Sequence, residues 1–443
     1  MNAYEMGDLG KFIRKVRKEK GLRLEDLSDD HISTATISNI ERGVPHVNRE
    51  KVAYLLQKLS IQLQDIPDLL EKNTENLESL QLKLLAVESL LHIGNQQKAI
   101  QDLLNISDNF SSYSLAQVHL LKGKYFLQVG EWKKAERELM ESNRLCNQDM
   151  VHRSNLESTN YYYLAQSSFE QHNLPQALRY LEKGIYTYQE DQDDPEQILF
   201  LLMTQRVLYL EKAGRADEAL KRLEEIWEHL DKVRRLEILL KLYAIKADLF
   251  RRMKLHLDAV RFAREGIQIA ANSSHTDELF ELWTILGTVY VELNHLEDAE
   301  TCFAFVREMK EKVSNKNELI RAYCSLGNLY LLQGKSEEAK QVLYQAIQWG
   351  EQLNDSYKLC NALLIMGKLM KTIHQEYEAI GYLERAISLS DRVGLKDKSF
   401  LAFYELASCF EKMGERERFQ QATEQMYLIQ REMEQGKVLA EVW

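Results

Sequence analysis

The chain has 443 residues and a formal net charge of −11, and it contains 4 prolines and 5 cysteines. This acidic balance excludes a protein that coats nucleic acid along its whole length, and the scarcity of proline favours an all-α protein. No run of about 18 apolar residues predicts a membrane span. The cysteines are scattered without a Cys-x-x-Cys pair and the N-terminus is polar, which is typical of a reduced, cytoplasmic protein.

Helical patterns in residues 1–72 predict a five-helix domain. Each helix is indicated by apolar residues at helical spacing together with a capping or breaking residue. The predicted helices comprise residues 8–20, 24–28, 33–43, a helix capped by Asn48, and 63–70. Residues 1–60 hold 11 basic and 9 acidic side chains, and six of the basic ones fall within residues 11–20. Contact with phosphate is therefore expected at this end of the chain.

The third of these helices has an open outer face. Ser33 supplies a capping oxygen at its start, and Gly43 ends it where a left-handed residue is needed. Ile37 and Ile40 form an apolar anchor three residues apart, and the residues between and before them are small or polar. This pattern favours a helix that lies against the base-pair edges of duplex DNA.

The N-terminal segment resembles the Xre/Cro family of helix-turn-helix domains. The resemblance covers about 60 residues and rests on two motifs, which comprise Arg17, Lys20, Gly21 and Leu22, then Ile37, Ser38, Ile40, Glu41 and Gly43. It implies that the third helix enters the major groove. It also implies a structural ion pair between Arg17 and Glu41. Leu24 replaces the glutamine usual in the family and the customary turn glycine is absent, so the operator sequence cannot be inferred from relatives.

The same resemblance implies two sets of DNA contacts on the third helix. The expected base-reading residues are Thr34, Ala35 and Asn39, and the expected phosphate contacts are Ser33, Thr36 and Arg42. An asparagine can pair with adenine, whereas threonine and alanine suit a thymine methyl group. The alternative is that all six are ordinary solvated helix surface.

From about residue 81 onward the chain repeats itself. A marker residue recurs nine times, at intervals of 36, 42 and 42 and then five intervals of 40, at Ala99, Ala135, Ala177, Ala219, Ala259, Ala299, Ala339, Ala379 and Phe419. Twelve residues before each marker stands a mostly small residue, and a Gly, Asn, Lys or His lies near the turn between them. This pattern is typical of tetratricopeptide repeats. It predicts a linker at 73–80 and a right-handed superhelix of about nine repeats over 81–443.

In such repeats the first helix of each hairpin lines a concave groove. The residue after each small position, and those three to seven before it, are expected to face that groove, which selects Lys124, Tyr162, Gln166, Asp248, Thr288, Arg321, Asn328, Asn361, Lys368 and Ser408. Amides with charges of both signs suit an extended peptide, whose backbone needs donors and acceptors. For each single residue, ordinary solvated surface is the alternative.

A domain of Xre type followed by repeats with a period near 40 resembles the peptide-regulated quorum-sensing regulators of Gram-positive bacteria, the group that contains Rap, Rgg, NprR, PlcR and PrgX. The resemblance implies a dimeric cytoplasmic transcription regulator whose groove binds a short signalling peptide and whose first domain binds operator DNA. In this family an asparagine on an inner helix clamps the peptide backbone, which points to Asn328 first and Asn361 second. The alternatives are a docking protein that sequesters or dephosphorylates a response regulator, and a phage or mobile-element repressor whose repeats dimerise.

Nothing in the sequence predicts catalysis. No His-Glu-x-x-His motif, nucleophile elbow or set of Cys and His at metal-ligand spacing occurs, and the sequence Gly334-Lys335-Ser336 lacks the first glycine of a phosphate-binding loop. We therefore expect neither an enzyme nor a cofactor or metal.

Overall fold

The computed structural model divides the protein into two compact units, Met1–Gln171 and His172–Trp443. It describes residues 9–10, 12–14, 16–18, 20–44, 47–61, 66–106, 110–146, 155–190, 194, 197–271, 273 and 275–441, and it describes side chains in these ranges except at 62–76 and 434–443. These residues form helices and turns, and no strand occurs among them.

The first unit begins with helical residues at 9–18 wherever they are described. The predicted start of that helix, at residue 8, lies outside the described residues, and its predicted last residue, Lys20, lies in a turn. The helices that follow are α1 (Leu24–Leu27), α2 (Thr34–Glu41), α3 (Arg49–Lys58), α4 (Ile66–His92), α5 (Gln96–Leu104), α6 (Ser112–Gln128), α7 (Trp132–Cys146) and α8 (Leu156–Glu170). Asn48 caps α3 as predicted, since its side chain accepts from the backbone of Glu50 at 2.9 Å.

A small apolar core joins the N-terminal helices. Ile13, Ile37 and Leu55 come from three different helices and are each fully buried in one cluster. Because each of these helices buries only one stripe, its opposite face remains in water. The core therefore fixes which side of α2 points outward.

The predicted end of the short helix at residue 70 and the predicted linker at 73–80 are wrong, and residues 63–65 of that helix lie outside the described residues. A single helix, α4, runs from Ile66 to His92. Residues 73–80 contain neither proline nor glycine, so nothing in them ends a helix. Leu80, Leu84 and Val87 continue the apolar stripe of the first repeat and are buried there.

The second unit starts with α9 (Leu174–Thr187) and continues as six helical hairpins. Their helices are α10 (Ile198–Lys212), α11 (Ala216–Trp227), α12 (Leu236–Arg252), α13 (His256–Ala270), α14 (Thr276–Glu292), α15 (Leu296–Met309), α16 (Lys316–Leu332), α17 (Ser336–Gln352), α18 (Ser356–Thr372), α19 (Glu376–Val393), α20 (Lys396–Met413) and α21 (Arg416–Glu441). A short 3₁₀ helix, Leu230–Lys232, follows α11. The predicted period of 40 is confirmed by the evenly spaced starts of α12, α14, α16, α18 and α20, which fall at Leu236, Thr276, Lys316, Ser356 and Lys396.

Small residues allow the two helices of a hairpin to pack closely, as predicted. A Cβ atom placed on Gly327 would lie 2.6 Å from the side chain of Leu343, and one on Gly367 would lie 2.7 Å from Leu383. Real Cβ atoms do not approach so closely. The backbones of α16 and α17, and of α18 and α19, can therefore come together only because these positions lack a side chain.

The turns of the hairpins need a left-handed residue. Gly334 occupies this position with φ +72°, and Lys254, Asn294 and His374 occupy the corresponding positions of other hairpins with φ between 60° and 63°. A residue with a β-carbon is strained in this conformation, so these turns carry a cost that glycine avoids.

The first helices of successive hairpins pack side by side. Within the second unit α12, α14, α16, α18 and α20 each contact the next in this series, and their small residues lie in one continuous apolar core. Each of these helices, and also α10, has one side that faces away from its hairpin partner. We call the surface formed by these sides the A-helix face. It carries the residues that the sequence predicted for the groove of this unit.

Candidate functional site

Helix α2 presents a small, polar outer face. The Ser33 hydroxyl accepts a hydrogen bond from the Thr36 amide at 3.2 Å, which confirms its predicted role as the N-cap. Ile37 and Ile40 point inward and are fully buried, whereas Ala35 is exposed and Thr34 is half-buried. The outer face therefore has no bulky side chain that would prevent close approach of a flat surface.

Two of the predicted contact residues are bonded to each other. The Nη2 of Arg42 donates to the Oδ1 of Asn39 at 2.8 Å, and Arg42 itself is exposed at the end of α2. Asn39 is half-buried, and its amide oxygen is occupied while its amide nitrogen makes no hydrogen bond within the described part of the chain. The Asn39 amide nitrogen can therefore still donate to adenine, and its oxygen keeps a second lone pair beside the bond from Arg42.

The predicted structural ion pair beneath α2 is confirmed. Arg17 donates to both carboxylate oxygens of Glu41, from Nε at 2.5 Å and from Nη2 at 2.9 Å. Both residues are buried, with 9% of Arg17 and 7% of Glu41 exposed. A third bond runs from Nη1 to the carbonyl of Leu22 at 2.8 Å. The pair ties the end of α2 to the first helix and faces away from the outer surface.

A polar cluster that the sequence analysis missed holds the turn before α2. The carboxylate of Asp29 accepts from the amides of His31 and Ile32 at 2.8 and 3.0 Å, from the Tyr54 hydroxyl at 2.7 Å, and from Lys58. The bond from Lys58, followed by that from Tyr54, holds the pKa of Asp29 well below its usual range. The sequence does contain a signal for this cluster. Asp29 stands two and three residues before the amides of a turn, a spacing at which an aspartate side chain can accept their hydrogen bonds.

Three of the predicted ligand residues belong to the first unit. Lys124 lies 2.5 Å from the carboxylate of Glu88, and its ammonium lies 5.1 Å from the ring centroid of Tyr163. Burial lowers the pKa of Lys124, but the charges of Tyr163 and Glu88 outweigh it and raise that pKa. Tyr162 packs edge-on against Tyr163, and Gln166 is half-buried. The ion pair of Lys124 thus links α6 to α4, and only the exposed part of its side chain remains for a ligand.

A ladder of alternating charge crosses the A-helix face of the second unit. Glu281 lies 2.6 Å from the Nζ of Lys241 and 3.3 Å from the Nη2 of Arg321, so one carboxylate serves two cations. The Nε of Arg321 lies 2.9 Å from Glu318, which in turn lies 3.5 Å from the Nζ of Lys358. We call these five residues the charge ladder. It joins α12, α14, α16 and α18.

A second group of ion pairs surrounds Asp248, another predicted ligand residue. Its carboxylate lies 2.8 Å from the Nε of Arg251 and 3.1 Å from the Nε of Arg252. Arg252 also reaches Glu211 on α10 at 2.8 Å, and Arg251 reaches Glu292 on α14 at 2.5 Å. Burial raises the pKa of Asp248, but the surrounding arginines outweigh it and lower that pKa to about 2.

Charges from several helices of the second unit influence one another on its A-helix face. Burial and then the charge of Lys358 lower the pKa of Lys212, although these residues lie on α10 and α18, several hairpins apart. Burial lowers the pKa of Arg321, but the negative charges of nearby carboxylates outweigh burial and raise that pKa. These carboxylates belong to Glu318, Glu281, Asp248 and Glu211. The Arg321 side chain nevertheless keeps 30% of its surface exposed. Charges from distant helices therefore surround a recess that water can enter.

Beside the charge ladder, the A-helix face also carries hydroxyl and amide groups. The Thr288 hydroxyl donates to the Thr284 carbonyl at 2.7 Å and lies 3.0 Å from the Ser325 hydroxyl. The Oδ1 of Asn361 accepts from Lys398 at 3.3 Å. The side chain of Asn328 is half-buried and makes no hydrogen bond within the described part of the protein.

The structure brings some predicted ligand residues together and leaves others apart. Asp248 and Arg321 are electrostatically coupled, and Arg321, Asn328 and Thr288 lie on the adjacent helices α14 and α16. Lys368, on α18, is exposed. Most of the paired charges were not predicted from the sequence, and they comprise Glu211, Lys241, Glu281, Glu318 and Lys358. The available signal was the spacing, because Lys241, Glu281 and Arg321 recur at the period of the repeat and alternate in sign.

Among the described residues, no group of three or more His, Cys, Asp or Glu side chains is arranged to hold a metal ion. None of the described helices combines the length and hydrophobicity that crossing a bilayer requires. Cys302 and Cys324 are buried, and burial raises the pKa of each thiol to about 12.

The fold is that of the tetratricopeptide-repeat proteins. Residues 278–349, which span α14 to α17, match the family model described as tetratricopeptide repeat. The period of 40 and the close packing at Gly327 and Gly367 agree with this class. A comparison with curated proteins found no match to this sequence.

Solved structures extend the likeness beyond the matched repeats. The apo form of the quorum sensor NprR from B. thuringiensis is 14% identical, with a TM-score of 0.57 over 74% of this chain and 93% of that one. A Rap protein complexed with competence and sporulation factor is 15% identical, with a TM-score of 0.56 over 81% and 99%. A signal-transduction ATPase with a tetratricopeptide-repeat sensor from Pyrococcus horikoshii is 13% identical, with a TM-score of 0.53 over 98% and 64%. At these identities the likeness establishes the fold alone.

Proposed function

We propose that this protein is a cytoplasmic transcription regulator that is controlled by a peptide. Residues 1–72 form the DNA-binding domain and contact operator DNA through α2. Residues 81–443 form the repeat domain and bind a short signalling peptide on their concave face. The active form is a homodimer, so that two copies of α2 meet two half-sites.

The outer face of α2 supports DNA binding. Ser33, Ala35 and Arg42 are exposed, and Ile37 and Ile40 anchor the helix from behind. The Arg17–Glu41 pair fixes its far end. A capped helix with small side chains outward can lie in the major groove, where hydroxyl and amide groups reach base edges and an arginine reaches phosphate.

The peptide-binding part of the proposal rests on the concave A-helix face. It places an unbonded amide, Asn328, beside hydroxyl groups and within reach of charges of both signs. An extended peptide presents unpaired backbone N–H and C=O groups, and a carboxamide can satisfy one of each. NprR is named a quorum sensor, and the Rap protein was solved with competence and sporulation factor, which agrees with a signal-binding role for this fold.

Peptide binding would control DNA binding through a population shift. A peptide that touches several repeats favours the superhelical pitch at which all its contacts are made. The pitch sets the separation of the two copies of α2 in the dimer, and half-sites lie about 34 Å apart or at multiples of that distance. A small change of pitch therefore makes or breaks simultaneous contact with both half-sites.

Selection from a pool of randomised duplexes tests the DNA-binding part. The full-length protein should enrich a two-fold symmetric duplex, and its affinity, followed by fluorescence anisotropy, should fall steeply with salt. Ala35→Glu places a negative charge on the outer face of α2 and should weaken binding at least about tenfold. Ala213→Glu, at an exposed alanine of the second unit, is the matched control. No enrichment, or equal affinity of the two variants, would contradict the proposal.

A second candidate function is docking of a response regulator by the repeat domain. The likeness to the Rap protein and to RapI favours it, since they cover 81% and 82% of this chain with TM-scores of 0.56. Pull-down of purified receiver domains by the full-length protein distinguishes the two functions. Capture that Ala35→Glu does not alter, without enrichment of any duplex, would support docking in place of transcription regulation.

A further inference from the structure

One position of the A-helix face differs from its neighbours in charge pairing. Asp248, Thr288, Asn328, Lys368 and Ser408 each follow the small residue of their hairpin, so they occupy one register on α12, α14, α16, α18 and α20. Consecutive helices of this series pack directly together. Side chains of this register on adjacent helices therefore stand about 8–10 Å apart at their backbones, which is about the span of three extended peptide residues.

The charges around this register are already satisfied. Asp248 holds two arginines, and the charge ladder pairs each of its carboxylates with two cations. Lys371, on the same helix as Lys368, is bonded to Glu405 of α20 and lies 3.4 Å from the hydroxyl of Ser408. The carboxylate of Glu405 on α20 is thus already paired with Lys371.

Lys368 has no such partner. It is exposed, and within the described part of the chain its ammonium makes neither an ion pair nor a hydrogen bond. Asn328, one helix earlier in the same register, has no side-chain hydrogen bond to any described residue either. Lys368 and Asn328 thus hold available donors in one register on the adjacent helices α18 and α16, on a face where the neighbouring polar groups are bonded.

We propose that Lys368 and Asn328 form a carboxylate-binding subsite in the peptide groove. Lys368 supplies the charge and up to three donors, and the Asn328 amide supplies a further donor to the same carboxylate or to the adjoining peptide carbonyl. The carboxylate is either the C-terminus of the peptide or an acidic side chain. This inference rests on the proposed peptide binding.

The test uses the full-length protein and two randomised heptapeptide pools, one with free C-termini and one amidated, each analysed by mass spectrometry after affinity selection. The wild-type protein should retain peptides that carry a carboxylate. Enrichment from the free-acid pool only assigns the C-terminus, and enrichment of Asp and Glu from both pools assigns a side chain.

Three variants give the test its controls. Lys368→Met should lower the affinity for the selected peptides about tenfold, because a hydrogen-bonded charge is lost. Lys368→Glu should shift the selection to peptides with a basic residue at the same place. Lys221→Met, at an exposed lysine on α11, should change neither result. Circular dichroism checks that each variant keeps its helices, which exposure of the lysines leads us to expect.

Failure of the subsite and failure of the proposed function give different results. If the wild-type protein retains no peptide, the peptide-binding function is overturned and the subsite with it. If it retains peptides without any preference for a carboxylate, or if Lys368→Met and Lys368→Glu select the same peptides as the wild type, the subsite alone is overturned.

Discussion

Removing Arg17 should unfold α2 locally without touching its outer face. In Arg17→Met the two hydrogen bonds to Glu41 and the bond to the Leu22 carbonyl are lost, and Glu41 remains buried at 7% exposure. Leaving one partner of a buried ion pair uncompensated costs about 3–5 kcal/mol. Replacing both partners, in Arg17→Met/Glu41→Met, removes the unpaired charge as well as the pair and should recover most of that loss.

Hydrogen exchange of the α2 backbone amides measures this difference directly. The single variant should exchange at least about a hundredfold faster at these amides, since each factor of ten corresponds to about 1.4 kcal/mol, and the double variant should return towards the wild type. The amides of α16 in the second unit are the internal control. If the single and double variants exchange equally fast, the cost does not come from an uncompensated charge. If neither differs from the wild type, the pair has no structural role.

Three further predictions concern the second unit. Gly327→Ala should destabilise it by about 1–3 kcal/mol because the new methyl group meets Leu343, whereas Gly381→Ala, which has open space, should stabilise it by about 1 kcal/mol, as thermal unfolding can show. The pKa of Asp248 is lowered to about 2, so its contribution to stability is present above pH 3.8 and is lost as the pH falls towards 2; Asp248→Asn should flatten the acid limb of the unfolding curve. The buried thiol of Cys324, with its pKa raised to about 12, should react with a thiol reagent only after unfolding.

Periodicity made the repeat fold predictable, because it depends on spacing alone. The recurrence of Ala299 and Ala339 at an interval of 40 predicted the hairpins, and the small residue Gly327 predicted close packing. The linker at 73–80 was predicted as the stretch between the N-terminal domain and the repeats. Its residues form helix because no breaker interrupts them and an apolar stripe begins at Leu80.

The candidate site was less predictable, because pairing depends on which neighbour a long side chain reaches. Asp248 and Arg321 were predicted as ligand contacts from register alone, and both turn out to be bonded within the protein. Arg321 has several carboxylates around it on other helices, and their proximity follows from the curvature of the second unit rather than from any local pattern. The assignment of each residue to a ligand stays a prediction.

The continuous helix α4 has a mechanical consequence. Its 27 residues make a rod about 40 Å long, and its later turns are clamped in the first repeat by Leu84 and Leu91. A flexible tether would dissipate any movement of that repeat, but a rod acts as a lever. Tilting the clamped end by about 10° sweeps the opposite end, at Ile66, through about 7 Å for that length. A change too small to alter the packing of one hairpin is thus magnified before it reaches the N-terminal helices.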